Sequence, residues 1–274
     1  MKNKIIIFGD SYGDPEIFSS SNKFKNTNAW YDLLKYNYNI INHSVSGSGP
    51  HYSFKKYYEF ISKEQKLNDY ICIFLLSGPD RINFYSRHPS SGTHIFWDNR
   101  NKKSHLIDEK DKVFYNNFKS EIDFFYLTMQ DEINWFNCKN ISFLYTNSIL
   151  LGLKTIVFLT SSSYDMIAEN ERFIDYKKLN NSNFFIYPTI LSNISEMEFN
   201  NIEKIKEKNK SCMNYAFKDF RRNHFSQENH EVFYKNIEKI IVNDYKLDAF
   251  KKHLNSYDYY GEIDYAKPVE FIYE

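Results

Sequence analysis

The sequence predicts an α/β fold: a mostly parallel sheet of about five strands with helices on both faces. Three observations carry that prediction. Short apolar runs rich in β-branched and aromatic residues recur along the chain, stretches with helical apolar spacing lie between them, and glycines gather just after the first three runs. Strands buried on both faces read as continuous apolar runs rather than alternating ones. Strands alternating with helices build a parallel sheet covered on both sides.

The elements follow in order. Residues 4–8 (Lys-Ile-Ile-Ile-Phe) are a first strand, ended by the turn Gly9-Asp10-Ser11. Residues 28–34 have the apolar spacing of a helix. Residues 38–42 are a second strand, leading into Ser44-Val45-Ser46-Gly47-Ser48-Gly49-Pro50. Residues 52–63 are a helix with Tyr and Phe on one face, and residues 70–76 a third strand running into Ser77-Gly78-Pro79-Asp80. Residues 112–153 are largely helical and read as two helices with a break near residues 137–140. Residues 155–160 are a fourth strand, residues 184–187 a short fifth, and residues 227–244 a final helix.

The chain has only 8 glycines in 274 residues, less than half the usual share of about 7%. Five of them (Gly9, Gly13, Gly47, Gly49 and Gly78) follow strands one to three. In an open parallel sheet, ligands bind beyond the carboxyl ends of the strands. A glycine-poor chain that keeps its glycines there points to close backbone approach or positive φ at a functional edge.

Composition narrows the function. Lys+Arg and Asp+Glu are both 35, so the formal net charge is zero, which argues against a general electrostatic grip on nucleic acid or an anionic membrane. A hydrophobic fraction of 42%, with 25 Phe and 23 Tyr, excludes wholesale disorder. Cys72, Cys138 and Cys212 are odd in number and far apart, giving neither a disulfide framework nor a zinc pair. No apolar stretch approaches the roughly 20 residues of a membrane span, and the N-terminal apolar run is too short for a signal peptide. A cytoplasmic location is therefore expected. Richness in Asn, Lys, Ile, Tyr and Phe suggests an AT-rich genome, bacterial or phage.

No linker divides the chain, so residues 1–245 are expected to form one domain, followed by an aromatic and acidic tail over residues 246–274. Residues 85–110 are a polar insertion after the third strand that carries Phe96 and Trp97. Long loops of this kind are often lids or binding loops. Three histidines within it, His88, His94 and His105, have spacings that match no metal knuckle, so no metal is expected there.

Two segments carry chemistry. A serine on a sharp strand-to-helix turn, as in Gly9-Asp10-Ser11-Tyr12-Gly13, presents a hydroxyl beside backbone N–H groups, the seat of a nucleophile with half an oxyanion hole. The bland alternative is a helix N-cap. Far downstream, Asn223-His224-Phe225-Ser226 precedes the final helix, placing a histidine where it can reach across the strand ends.

Taken together these segments resemble the SGNH (GDSL-type) hydrolase family. Residues 5–11 (Ile-Ile-Ile-Phe-Gly-Asp-Ser) are similar to its first block, Asn42-His43-Ser44-Val45-Ser46-Gly47 to its second, and residues 223–230 to its last. The segment Asn28-Ala29-Trp30-Tyr31-Asp32-Leu33-Leu34 also resembles the helix after the first block in some bacterial and phage members. The resemblance spans roughly residues 4–243. It implies a three-layer α/β/α, flavodoxin-like fold and hydrolysis of an ester, often an acyl group on a carbohydrate or lipid, without a cofactor. It also implies Ser11 as nucleophile, His224 as general base, and the N–H groups of Ser11 and Gly47 as oxyanion donors.

Two departures stand out. The family's third block is usually Gly-x-Asn-Asp, whose Asn donates to the oxyanion; here Pro79 or Asp80 takes the Asn place. Ser77, Arg81 and Asn83 are the candidate substitutes, Arg81 first because a cation stabilises developing negative charge. The family's acid stands three residues before the histidine, where this chain has Arg221; Asp219, two residues further back, is the nearest carboxylate. The expected function is thus a serine esterase acting on a small-molecule or glycan ester, most readily an O-acyl or O-acetyl group on a carbohydrate. The alternative is an inactive member that binds a glycan or a partner. A flavodoxin-like nucleotide binder is a third reading, weakened by the lack of a Walker-type lysine and a Gly-x-Gly-x-x-Gly fingerprint.

Overall fold

The structure is a computed structural model and describes residues 4–15, 29–79, 81, 109–161, 164, 179, 181–187, 190, 191 and 227–242. Of the insertion expected at 85–110, residues 85–108 lie outside the described residues, as does the tail at 246–274, while residues 109 and 110 already belong to the helix Glu109–Leu150.

Five strands form one sheet: β1 (Lys4–Gly9), β2 (Asn39–Asn42), β3 (Tyr70–Leu76), β4 (Lys154–Leu159) and β5 (Phe184–Ile186). Every pairing is parallel and the order is β2-β1-β3-β4-β5, the flavodoxin-like order in which the chain changes direction across β1 and β3. Four α-helices are described: α1 (Trp30–Leu34), α2 (Pro50–Ile61), α3 (Glu109–Leu150) and α4 (Gln227–Val242).

The three layers follow from the two-residue period of a strand. Along β1, Ile5 and Ile7 face one side with Trp30, Tyr31 and Leu34 of α1 and Val232, Phe233 and Ile237 of α4. Ile6 and Phe8 face the other with Phe54 and Tyr57 of α2 and Cys138, Ile141 and Leu144 of α3. The same alternation sorts Ile71, Ile73 and Leu75 from Cys72, Phe74 and Leu76 in β3. All seven residues of β3 are buried, as expected of the central strand. Burial pushes the Cys72 thiol well above its usual pKa, and that of Cys138 up to about 12. Both stay protonated core residues.

Aromatic side chains fill most of this volume. Phe74 meets Phe8, Phe54 and Tyr57 with ring centroids 5.0, 6.2 and 5.4 Å away. On the opposite face Phe233 of α4 packs edge-on against Trp30 and Phe158 at 5.1 and 4.7 Å. Offset and edge-to-face pairs of this kind add to simple area burial.

One expectation is corrected. No break occurs at residues 137–140: α3 is continuous there, and its backbone leaves helical geometry at Phe118 instead (φ −123°, ψ 20°). The Asn137-Cys138-Lys139-Asn140 stretch lacks proline and glycine, so its modest helix propensity is overridden by the burial of Asn137, Cys138 and Ile141. None of the described helices is long and apolar enough to cross a membrane.

Phe74→Ala removes a wholly buried ring from the middle of the sheet and is expected to cost about 3–5 kcal/mol. Urea unfolding checks this; a loss below about 1 kcal/mol would mean the aromatic cluster repacks freely.

Candidate active site

The carboxyl ends of β1, β2 and β3 lead into three loops that are fastened to one another. Gly9 ends β1, and its carbonyl accepts hydrogen bonds from Val45 N (2.9 Å) and Ser48 Oγ (3.0 Å) of the loop after β2. The Ser48 carbonyl in turn accepts from Ser77 Oγ of the loop after β3 at 2.7 Å. Ser77's own carbonyl accepts from Tyr164 OH at 3.0 Å, and Asn137 Nδ2 of α3 donates to the Pro79 carbonyl.

The turn after β1 is built around Asp10. Its carboxylate accepts from Tyr12 N at 3.1 Å and from Thr160 Oγ1, just past β4, at 2.8 Å, while its carbonyl accepts from Gly13 N at 3.1 Å. Asp10 thereby shapes the turn that carries Ser11. The helix that follows is tied to this turn, because Trp30 Nε1 donates to the Tyr12 carbonyl at 2.8 Å and Tyr31 OH to the Asp14 carbonyl at 3.0 Å. Ser11 is 4% exposed, so its hydroxyl is recessed.

Asp14 and Asn42 join this turn to the loop after β2. Asp14 Oδ2 accepts from Ser46 N at 2.6 Å, one residue before Gly47. Asn42 Nδ2 donates to the Gly13 carbonyl at 2.7 Å, and its Oδ1 accepts from Ser44 N at 2.9 Å. Gly47 has φ +74°, a left-handed conformation that glycine adopts without the steric cost of a Cβ. At Gly13 the constraint is space: an added Cβ would lie 2.5 Å from both Ser44 Oγ and Leu75 Cδ1.

Of the sequence-predicted residues, Ser11, Gly47, Ser77 and Arg81 belong to this fastened edge. Arg81 N donates to the Gly78 carbonyl at 3.0 Å, and the Arg81 carbonyl abuts the Gly49 Cα, leaving a Cβ there only 2.7 Å away. The single hydroxyl proton of Ser77 is engaged by the Ser48 carbonyl, which leaves its oxygen as an acceptor rather than a donor toward an oxyanion. Asn83, Asp219 and His224 lie outside the described residues, as do His88, His94 and His105. Among the described residues no three His, Cys, Asp or Glu side chains gather as a metal site requires.

Sequence reasoning passed over the ties themselves. Asp14, Thr160 and Tyr164 share one signal that would have found them, polar residues after the ends of strands, and Asn42 is the polar last residue of β2. Two histidines flank the edge. Burial draws both His43, which stacks on Phe8 at 5.9 Å, and His51 below the usual imidazole pKa. Lys56 beside His43 and Lys55 beside His51 add to the effect, and Glu59 opposes it at His43. Comparison with protein-family models, with curated proteins and with solved structures gave no match.

Two predictions follow from these contacts. Asp14→Ala leaves the half-buried Ser46 N–H without its acceptor and is expected to cost about 1 kcal/mol. Asp14→Asn retains an oxygen acceptor and should cost clearly less in urea unfolding; equal losses would assign the effect to charge alone. For the histidines, a lowered folded pKa means the unfolded chain takes up protons first as pH falls through about 6.5. Their contribution to stability is thus complete above that pH and declines below it. The melting temperature should fall from pH 7.5 to 5.5, and less steeply in His43→Gln/His51→Gln; an unchanged slope would show that other groups dominate.

Proposed function

We propose that the protein is a serine esterase of the SGNH type, hydrolysing an O-acyl or O-acetyl ester, most readily on a carbohydrate. One observation carries the reading: the turn with Ser11 and the turn with Gly47 are locked side by side at the carboxyl ends of β1 and β2, through Asp14 to Ser46 and through Gly9 to Val45 and Ser48. That is where an open parallel sheet places its ligands, and where the resemblance of residues 5–11 and 42–47 puts a nucleophile and an oxyanion donor.

In this reading Ser11 Oγ attacks the ester carbonyl carbon while His224 takes its proton. The tetrahedral oxyanion is held by the N–H groups of Ser11 and Gly47, which as fixed backbone dipoles need no reorganisation as charge develops. His224 then protonates the leaving alcohol, and water activated by the same imidazole releases the acid and restores Ser11. Asp219 is proposed to orient the imidazole. With Pro79 or Asp80 at the place of an amide donor and the Ser77 proton engaged elsewhere, Arg81 and Asn83 are the remaining side-chain candidates from the third loop.

That same engagement of Ser77 favours a second reading: a protein that retains the scaffold but binds a glycan or partner without turnover. A serine-directed phosphonate and a short-chain p-nitrophenyl ester separate the two. The esterase reading expects one phosphonate adduct on Ser11 by intact mass and peptide mapping, absent in Ser11→Ala. It also expects ester turnover to fall by on the order of 10⁴ or more in Ser11→Ala and in His224→Ala. An unlabelled wild type without turnover would sink the esterase and leave the binding module.

A further inference from the structure

A carboxylate ties the turn of Ser11 to the turn of Gly47. Asp14 stands on the nucleophile's own turn, just past Ser11 and Gly13. Its Oδ2 accepts from Ser46 N at 2.6 Å, across 32 positions of chain. The Asp14 side is buried, while Ser46 is half-buried. A hydrogen bond to a carboxylate is shorter and stronger than one between neutral groups. Asp14 is itself held, since its carbonyl accepts from Tyr31 OH at 3.0 Å.

The place of this bond in the loop is informative. Ser48 N donates to the Val45 carbonyl at 3.1 Å, closing a β-turn over residues 45–48. Gly47, with φ +74°, is its third residue, the pattern of a type II turn. The Gly9 carbonyl holds both ends of that turn, through Val45 N and Ser48 Oγ. Asp14 holds its second residue. A closed turn fixed at its first, second and fourth residues has its third residue fixed with them. The loop would stay attached without Asp14, because Gly9 holds it at Val45 and Ser48, and Asn42 joins its start to Gly13. What Asp14 adds is the setting of the peptide next to Gly47.

We propose that Asp14 is a positioning residue for the oxyanion hole: its carboxylate, carried by the Ser11 turn, sets the Gly47 N–H at a fixed place relative to the Ser11 N–H. The proposal rests on the esterase reading above and deepens it. Asp14 touches no substrate; it acts through Ser46 on Gly47. The third loop makes such a device necessary. Pro79 or Asp80 stands where an amide donor is usual, and the Ser77 proton is engaged by the Ser48 carbonyl. More of the oxyanion's stabilisation then falls on two backbone donors that belong to two separate loops. Donors on separate loops stabilise developing charge fully only while the loops keep their spacing.

Steady-state kinetics of the full chain on a short-chain p-nitrophenyl ester test this, with phosphonate labelling of Ser11 alongside. In Asp14→Ala, kcat and kcat/KM should fall together by about 10–100-fold while KM moves less than about threefold, because a misplaced donor is missed in the transition state and not in the bound ester. Asp14→Asn keeps an oxygen acceptor and should recover kcat to within about threefold of wild type. If Asp14→Ala does not fold by circular dichroism, Asp14→Ser, whose oxygen is drawn back by one atom, carries the same expectation. An active wild type matched by Asp14→Ala or Asp14→Ser overturns the proposal and leaves the esterase standing. So does an Asp14→Asn as slow as Asp14→Ala, or a loss carried by KM alone. A wild type with neither turnover nor a phosphonate adduct overturns the esterase reading and this proposal together.

Discussion

The carbonyl of Gly9 is the junction on which the edge at the carboxyl ends of β1, β2 and β3 depends. It sits at the end of β1, between β2 on one side and β3 on the other, where the order of the sheet reverses. Both of its acceptor positions are used, by Val45 N and Ser48 Oγ. A backbone carbonyl taken out of water without partners is costly, so the loop after β2 is held in the position that satisfies it. Ser48 then passes the constraint to Ser77 through its own carbonyl. Three loops from three strands are set by one chain of hydrogen bonds that starts at the last residue of β1. The residue has to be glycine for an independent reason: a Cβ at Gly9 would stand 2.6 Å from the Leu75 Cβ of the neighbouring strand.

Beneath that edge the fold is an aromatic structure. Phe8, Phe74 and Phe158 on the strands, Trp30, Tyr57 and Phe233 on the helices, and Tyr187 just past β5 are all essentially inaccessible to water. Large planar side chains cover the sheet with few residues, which is how α1, only five residues long, shields its part of one face. The phenols also serve as polar handles. Tyr31 and Tyr164 donate to the carbonyls of Asp14 and Ser77 at the strand-end edge, and Tyr187 OH accepts from Asn236 Nδ2 at 3.3 Å to tie α4 to the end of β5. Core and site are thus built from the same residues, with rings inward and hydroxyls at the loop carbonyls.

The parts of this arrangement legible in the sequence were those governed by short-range pattern. Continuous runs such as Ile5-Ile6-Ile7-Phe8 and Ile71-Cys72-Ile73-Phe74 mark buried parallel strands because both of their faces are covered, and the structure pairs them residue for residue. The glycines after them marked the edge. The fastening was not legible, because Asp14 to Ser46, Asp10 to Thr160 and Asn137 to Pro79 join residues 32, 150 and 58 positions apart. No local period encodes such pairs; they exist only once the strand order is fixed. The helix break expected at residues 137–140 failed for a related reason. Asparagine there suggests a cap or turn, but buried Asn137 spends its amide on the Pro79 carbonyl while the helix continues.

This last contact bears on the loop after β3, where the chain departs most from the family it resembles. A proline in place of an amide-bearing residue might be taken for a sign of a decayed loop, yet the loop is held from three directions. Ser77 Oγ donates to the loop after β2, Tyr164 OH donates from beyond β4, and Asn137 Nδ2 donates from α3. Each tie uses a different polar side chain and each ends on a backbone carbonyl, so the path of the loop is specified without an asparagine at position 79 or 80. Buried polar groups left unpaired carry a desolvation cost, which these three ties avoid. The Ser77 and Pro79 carbonyls are thereby turned into the scaffold.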